Sequence, residues 1–228
     1  MTDVDATAEE TDVLAPGTVI AVIDPLCGWC WGAAPALDRI AAAGLPLRLI
    51  ASGLFIGDRE VTAEFAGYAW SNDRRIAEMT GQPFTEVYRE KVLGKLGSKF
   101  DSGPATLALT AVQLRAPGRD LAVLHALQRA RWVDGRDVTD PEVVAEVLRE
   151  AGIDEETIAA FLDEEQGIID ALNERAAFAR DLMSHFSARG VPVLLKVTEA
   201  GAIRLDGRML FEDVEEIVAA IERAGGQG

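Results

Sequence analysis

Only two cysteines occur in the 228 residues, and they lie three apart in the stretch VIDPLCGWCWG, residues 22–32. No disulfide framework can therefore staple distant segments of this chain together. Histidine is as scarce: His125 and His185 stand far from the cysteines and from each other, so a four-ligand zinc site lacks its donors and no metal is expected. No apolar run approaches the roughly 18 residues that a transmembrane helix requires. The opening MTDVDATAEETDVLA has neither the basic n-region nor the apolar h-region of a signal peptide. It reads as an acidic flexible leader over residues 1–16, and a cytoplasmic location is expected. Positive charge is also in short supply. The 22 basic residues against 38 acidic ones leave a formal charge of −16, which repels phosphate backbones and anionic lipid and argues against nucleic-acid and membrane partners. No internal repeat, P-loop, EF-hand or Ser-His-Asp pattern is present, and nothing sets an oligomeric state.

Apolar residues make up 49% of the chain, enough for a full buried core. GTVIAVID (17–24) is an uninterrupted β-branched run, the pattern of a strand buried on both faces. WGAAPALDRIAAAG (31–44) predicts one helix ending at Gly44, and LPLRLIASG (45–53) a second strand, parallel to the first. Between residues 59 and 175 the pattern is helical with no convincing strand, and the spacing predicts helices over 60–80, 83–94, 103–115, 119–133, 140–151, 154–163 and 167–188. Strand patterns return in VPVLLKV (191–197) and AIRL (202–205). A closing helix then places Phe211, Val214, Ile217, Val218 and Ile221 on one face, with Gly225 as its stop. Removing the helical block leaves βαβ–α–ββα. The expected fold is α/β: a discontinuous thioredoxin-like domain, 17–58 plus 176–224, interrupted by a helical insertion or cap domain, 59–175.

The cysteine pair admits three chemistries: metal binding, a structural disulfide, or thiol–disulfide exchange. The first lacks ligands, and a disulfide closing so short a loop constrains the unfolded chain little. Exchange fits the context. Cys27 follows a buried strand and Cys30 lies in the first turn of a helix, whose N-terminus carries about half a positive charge and favours a thiolate. Cys27, the outer thiol, is the expected nucleophile, and Cys30 resolves the mixed disulfide. Pro192 opens the strand VPVLLKV. In a thioredoxin-like fold that proline is cis and faces the thiols, turning the Val191 backbone toward an extended substrate. Trp29 offers an apolar ledge to substrate, while Trp31 packs toward the insertion. Tyr68, Trp70, Phe84 and Phe100 are candidates for the groove between cap and core. The pair Asp101-Ser102 reads as N-capping for the helix that follows it.

DPLCGWC with Trp31-Gly32 after it, and Gly190-Val191-Pro192 at long separation, resemble the DsbA family, in its FrnE-like, protein-disulfide-isomerase-like subgroup. WSNDRRIAEMTGQPF, FDSGPATLALTAVQ and LQRARWVDGRDVTDPEVVAEVLREAGID are similar to that family's helical domain, so the resemblance spans roughly residues 17–224. It implies a helical cap over the active site and dithiol–disulfide exchange with protein or small thiols. It implies no required cofactor, with glutathione as a candidate co-substrate. Carried over by motif, Cys27 attacks, Cys30 resolves and Pro192 is the cis proline. Asp24 matches the family's Asp three before the first Cys, with a role as helix cap, proton relay near Cys30, or simple turn residue. Gly28-Trp29 departs from the exported enzyme's Pro-His and adds no positive charge beside the thiolate. A less oxidising couple is therefore expected, by tens of millivolts on the scale of about 30 mV per tenfold change. Two other readings remain at this stage. One is a glutathione-dependent transferase or isomerase of the kappa or hydroxychromene-carboxylate type, whose members generally carry Ser at the Cys27 position. The other is a non-catalytic peptide-binding holdase.

Overall fold

The computed structural model describes residues 14–212 and 214–224. Most of the acidic leader, residues 1–13, and the Gly225 stop lie outside the described residues. Val19–Ile23 (β1) is buried at every position, as its unbroken β-branched run requires. It pairs in parallel with Leu47–Ala51 (β2), from Val19 opposite Leu47 to Ile23 opposite Ala51. Val193–Thr198 (β5) lies antiparallel on the other side of β1, with Val22 opposite Val193, and Gly201–Arg204 (β6) closes the order β2-β1-β5-β6.

The single helix expected over 31–44 is two: Gly28–Gly32 (α1) and Ala34–Ala42 (α2), meeting at Ala33. Pro35 has no N–H for the Trp31 carbonyl and its ring crowds the preceding turn, which breaks the ladder there. The start of the closing helix also differs. Gly207–Leu210 and Val214–Glu216 form 3-10 turns, and α10 covers only Ile217–Ala224. Its C-terminal carbonyls are met by Lys196, whose Nζ donates to the Ile221 oxygen at 2.6 Å.

The intervening segment carries Ala63–Thr80 (α3), Glu86–Tyr88 (α4) running into a π-helical turn at Arg89–Leu93, Gly103–Arg115 (α5), Asp120–Trp132 (α6), Pro141–Glu150 (α7) and Glu155–Leu162 (α8). Gln166–His185 (α9) follows as one continuous helix. Side chains cap three of these helices: Thr62 accepts from Phe65 N–H, Asp140 from Glu142 N–H and Asp154 from Thr157 N–H. One expectation fails. Arg59–Glu60 (β3) and Lys99–Phe100 (β4) pair antiparallel, where no strand was expected, because two residues carry no readable periodicity. α5 is the centre of the helical part, its residues 105–112 all buried. It shares one continuous apolar core with β1 and β2.

Candidate active site

Antiparallel pairing of β1 with β5 decides the site. With Val22 opposite Val193, the residues leaving β1 at its C-terminal end face those entering β5, and the Val191–Pro192 peptide, which is cis, meets the cysteine turn. Cys27 caps α1 in an extended conformation and its carbonyl accepts from Cys30 N–H and Trp31 N–H. The Cys27 thiol donates to the Val191 carbonyl at 3.4 Å. Both cysteines are free thiols. Cys27 is 6% exposed and Cys30 is fully enclosed. Burial pushes the Cys30 thiol well above its ordinary range, and the adjacent Cys27 pushes the same way. Cys30 is thus held in its thiol form.

Asp24 is fully buried and does not cap α1, whose N-terminus receives no side-chain hydrogen bond. It ties three segments together instead. Its Oδ1 accepts from Leu26 N–H at 2.9 Å, and its Oδ2 from Phe55 N–H at 3.1 Å and from Ser102 Oγ at 3.0 Å. Desolvation raises its pKa, and these donors oppose the rise. Ser102, expected as an N-cap residue, occupies that position at the start of α5 without capping it. Its hydroxyl serves Asp24, and Asp101 Oδ1 takes the Gly103 N–H at 2.8 Å.

The insertion supplies the other wall. Gly28 and Gly32 sit one turn apart against α3. A Cβ on Gly28 would lie 2.8 Å from Asp73 Oδ1 and 3.2 Å from Ile76 Cδ1, and one on Gly32 would lie 2.8 Å from Ile76 Cγ2. Glycine at both positions is what lets the two helices approach. Trp31 points into the insertion, stacking on Trp132 at 6.2 Å and donating Nε1–H to the Pro83 carbonyl at 3.0 Å. Trp29 is half-buried, edge-on to Phe211 at 5.2 Å. Of the groove candidates, Phe84 approaches the Gly28 position and packs on Trp132. Trp70 and Phe100 pack within the insertion and its base, and Tyr68 is 71% exposed. Asp73 was not anticipated: an acidic residue on a polar helix carries no signal of burial. Among the described residues no cluster of three His, Cys, Asp or Glu side chains suits a metal, and no helix is long and apolar enough to cross a membrane.

Comparison with known proteins agrees with this geometry. A family model described as the DSBA-like thioredoxin domain matches residues 18–219. The cytosolic disulfide reductase DsbM from Pseudomonas aeruginosa superposes with a TM-score of 0.81 at 30% identity, over 91% of this chain and 98% of that one. Its structure with glutathione (GSH) gives 0.80 at 31% identity, with the same coverage. A 2-hydroxychromene-2-carboxylate isomerase gives 0.61 at 16% identity, over 91% of this chain and 95% of its own, a likeness of fold alone. No curated protein matches the sequence.

Proposed function

We propose that this chain, which belongs to the DSBA-like thioredoxin family of disulfide oxidoreductases, exchanges disulfides through the Cys27–Cys30 dithiol with glutathione among its thiol partners. The observation that carries this reading is the pair itself. One thiol sits at the rim on the Val191 carbonyl beside cis-Pro192, and the other is enclosed beneath it. Cys27 as thiolate attacks one sulfur of a substrate disulfide, forming a mixed disulfide and releasing the first thiolate. Cys30 loses its proton and attacks the Cys27 sulfur, and the second substrate thiolate leaves. The net change is enzyme dithiol plus disulfide to enzyme disulfide plus two thiols. Two glutathione molecules return the enzyme to the dithiol and become glutathione disulfide.

Cys30, fully enclosed, takes the resolving step. Val191 offers backbone to an extended substrate, and Trp29 beside Cys30 supplies an apolar ledge. The helical block, taken as 59–175 between the thioredoxin-like segments 17–58 and 176–224, serves as a cap over the dithiol. Glutathione and a cytoplasmic setting are supported by the 30–31% identical relative, described as a cytosolic reductase and solved with GSH. The transferase and isomerase reading is weaker, because retention of both Cys27 and Cys30 serves a two-thiol cycle. The assay is glutathione-coupled reduction of insulin or of a small disulfide by the purified chain. Turnover is expected, and its absence together with glutathione conjugation to an electrophile would transfer the protein to the other class.

A further inference from the structure

The redox helix meets an ionisable group from the insertion. Asp73 of α3 is 5% exposed, and its Oδ1 faces Gly28, the residue directly after Cys27, at 2.8 Å from where a Cβ would stand. Its other oxygen accepts from the Tyr88 hydroxyl at 3.0 Å. Tyr88 is itself buried, and the guanidinium of Arg131 from α6 lies 5.6 Å from the Tyr88 ring and 5.5 Å from that of Phe100. Arg131 is 2% exposed, its Nε and Nη1 find no hydrogen-bond acceptor, and it also faces Asp137. The groups around Asp73 are therefore Tyr88 from α4, Arg131 from α6 and Gly28 at the start of α1, with uncharged Ile76 and Phe84 completing the contact at Gly28. Gly28-Trp29 brings no charge to the dithiol from its own sequence. Asp73 brings one from the cap.

We propose that Asp73 is a positioning residue of the redox site: its carboxylate, held by Tyr88 against Gly28, opposes further negative charge at the cysteine turn and so makes the Cys27–Cys30 couple more reducing. This rests on the dithiol reading above. Burial raises the Asp73 pKa to about 7, with Tyr88 and Arg131 pulling the other way. The sign follows. Below about pH 6 the group is protonated and silent, and above about pH 7 it is charged and opposes a second negative charge at the cysteine turn. The opposed charge destabilises the reduced form relative to the neutral disulfide. Two electrons and two protons separate these forms, and two glutathiones supply them on oxidation to glutathione disulfide.

The test is the equilibrium constant of the full-length protein with reduced and oxidised glutathione, followed across a pH series from pH 5.5 to pH 8, for wild type, Asp73→Asn and Tyr88→Phe. Asn keeps an acceptor for Tyr88 while removing the charge. Asp73→Asn is expected to favour the dithiol about three- to tenfold more than wild type at pH 8, the larger value corresponding to about 30 mV, with a ratio near one at pH 5.5. Tyr88→Phe removes a donor that favours the ionised carboxylate, so the wild-type pH effect should persist but begin at higher pH. A ratio that is the same at both pH values, or an unmoved onset in Tyr88→Phe, overturns the proposal and leaves Asp73 a packing residue. A wild-type couple that does not exchange with glutathione at all removes the dithiol reading, and the inference with it.

Discussion

Cys27→Ser is expected to lower the rate of disulfide reduction by about a thousandfold or more, as losses of a covalent nucleophile do. Cys30→Ser behaves differently. Its Cys27 still attacks, but nothing beneath it can displace the bound thiol, so a mixed disulfide with glutathione accumulates on Cys27 and turnover stalls. Intact-protein mass spectrometry after incubation with glutathione disulfide separates the cases: one adduct on Cys30→Ser, none on Cys27→Ser. The prediction follows from burial. With Cys30 fully enclosed and Cys27 6% exposed, an external disulfide is expected to reach the Cys27 sulfur alone. Adduct formation on Cys27→Ser would mean that Cys30 is accessible in solution and that the two roles are not divided as described.

Asp24→Ala should cost about 3 kcal/mol or more of stability. It leaves Leu26 N–H, Phe55 N–H and the Ser102 hydroxyl without their acceptor, at about 1–3 kcal/mol for each buried unsatisfied group, against a typical total of about 5–15 kcal/mol. Asp24→Asn should cost about 1 kcal/mol. An amide oxygen in the place of Oδ2 keeps Phe55 N–H and the Ser102 hydroxyl, leaving only Leu26 N–H, which then faces the amide NH2, unpaired. Urea unfolding of both variants reads the difference. Equal losses for Ala and Asn would show that charge, and not hydrogen bonding, is what Asp24 contributes. Since these three donors come from the cysteine turn, the loop after β2 and the start of α5, the same experiment asks whether Asp24 joins the helical block to the redox turn.

The parts of this site that could be read from sequence are those written in local pattern. The apolar run before Cys27, the three-residue cysteine spacing and the Gly-Val-Pro ahead of β5 each carry their own signal. The parallel β1–β2 pairing followed from the short βαβ spacing. The break at Ala33 was legible in principle, since Pro35 cannot serve the Trp31 carbonyl, but the alanine-rich helical pattern on both sides masked it. The two-residue pairing of β3 with β4 carried no periodicity. Ser102 looked like a cap because Ser before Gly-Pro so often is one. Only the approach of Asp24, 78 positions away in sequence, redirects its hydroxyl. Asp73 is the same problem at larger scale: WSNDRR reads as a solvated helix face, and only docking of α3 on the two glycines of α1 turns that aspartate inward. Charge delivered across an interface leaves no mark in either segment alone.

The most direct measurement is the reduction potential of the Cys27–Cys30 couple, titrated against glutathione at pH 7 and read by thiol trapping. A dithiol that cycles with glutathione should give one reversible two-electron transition within about −200 to −320 mV, the span of glutathione poise. A pair that never closes to a Cys27–Cys30 disulfide, or one whose disulfide resists reduction far below that span, would contradict an exchanging catalyst.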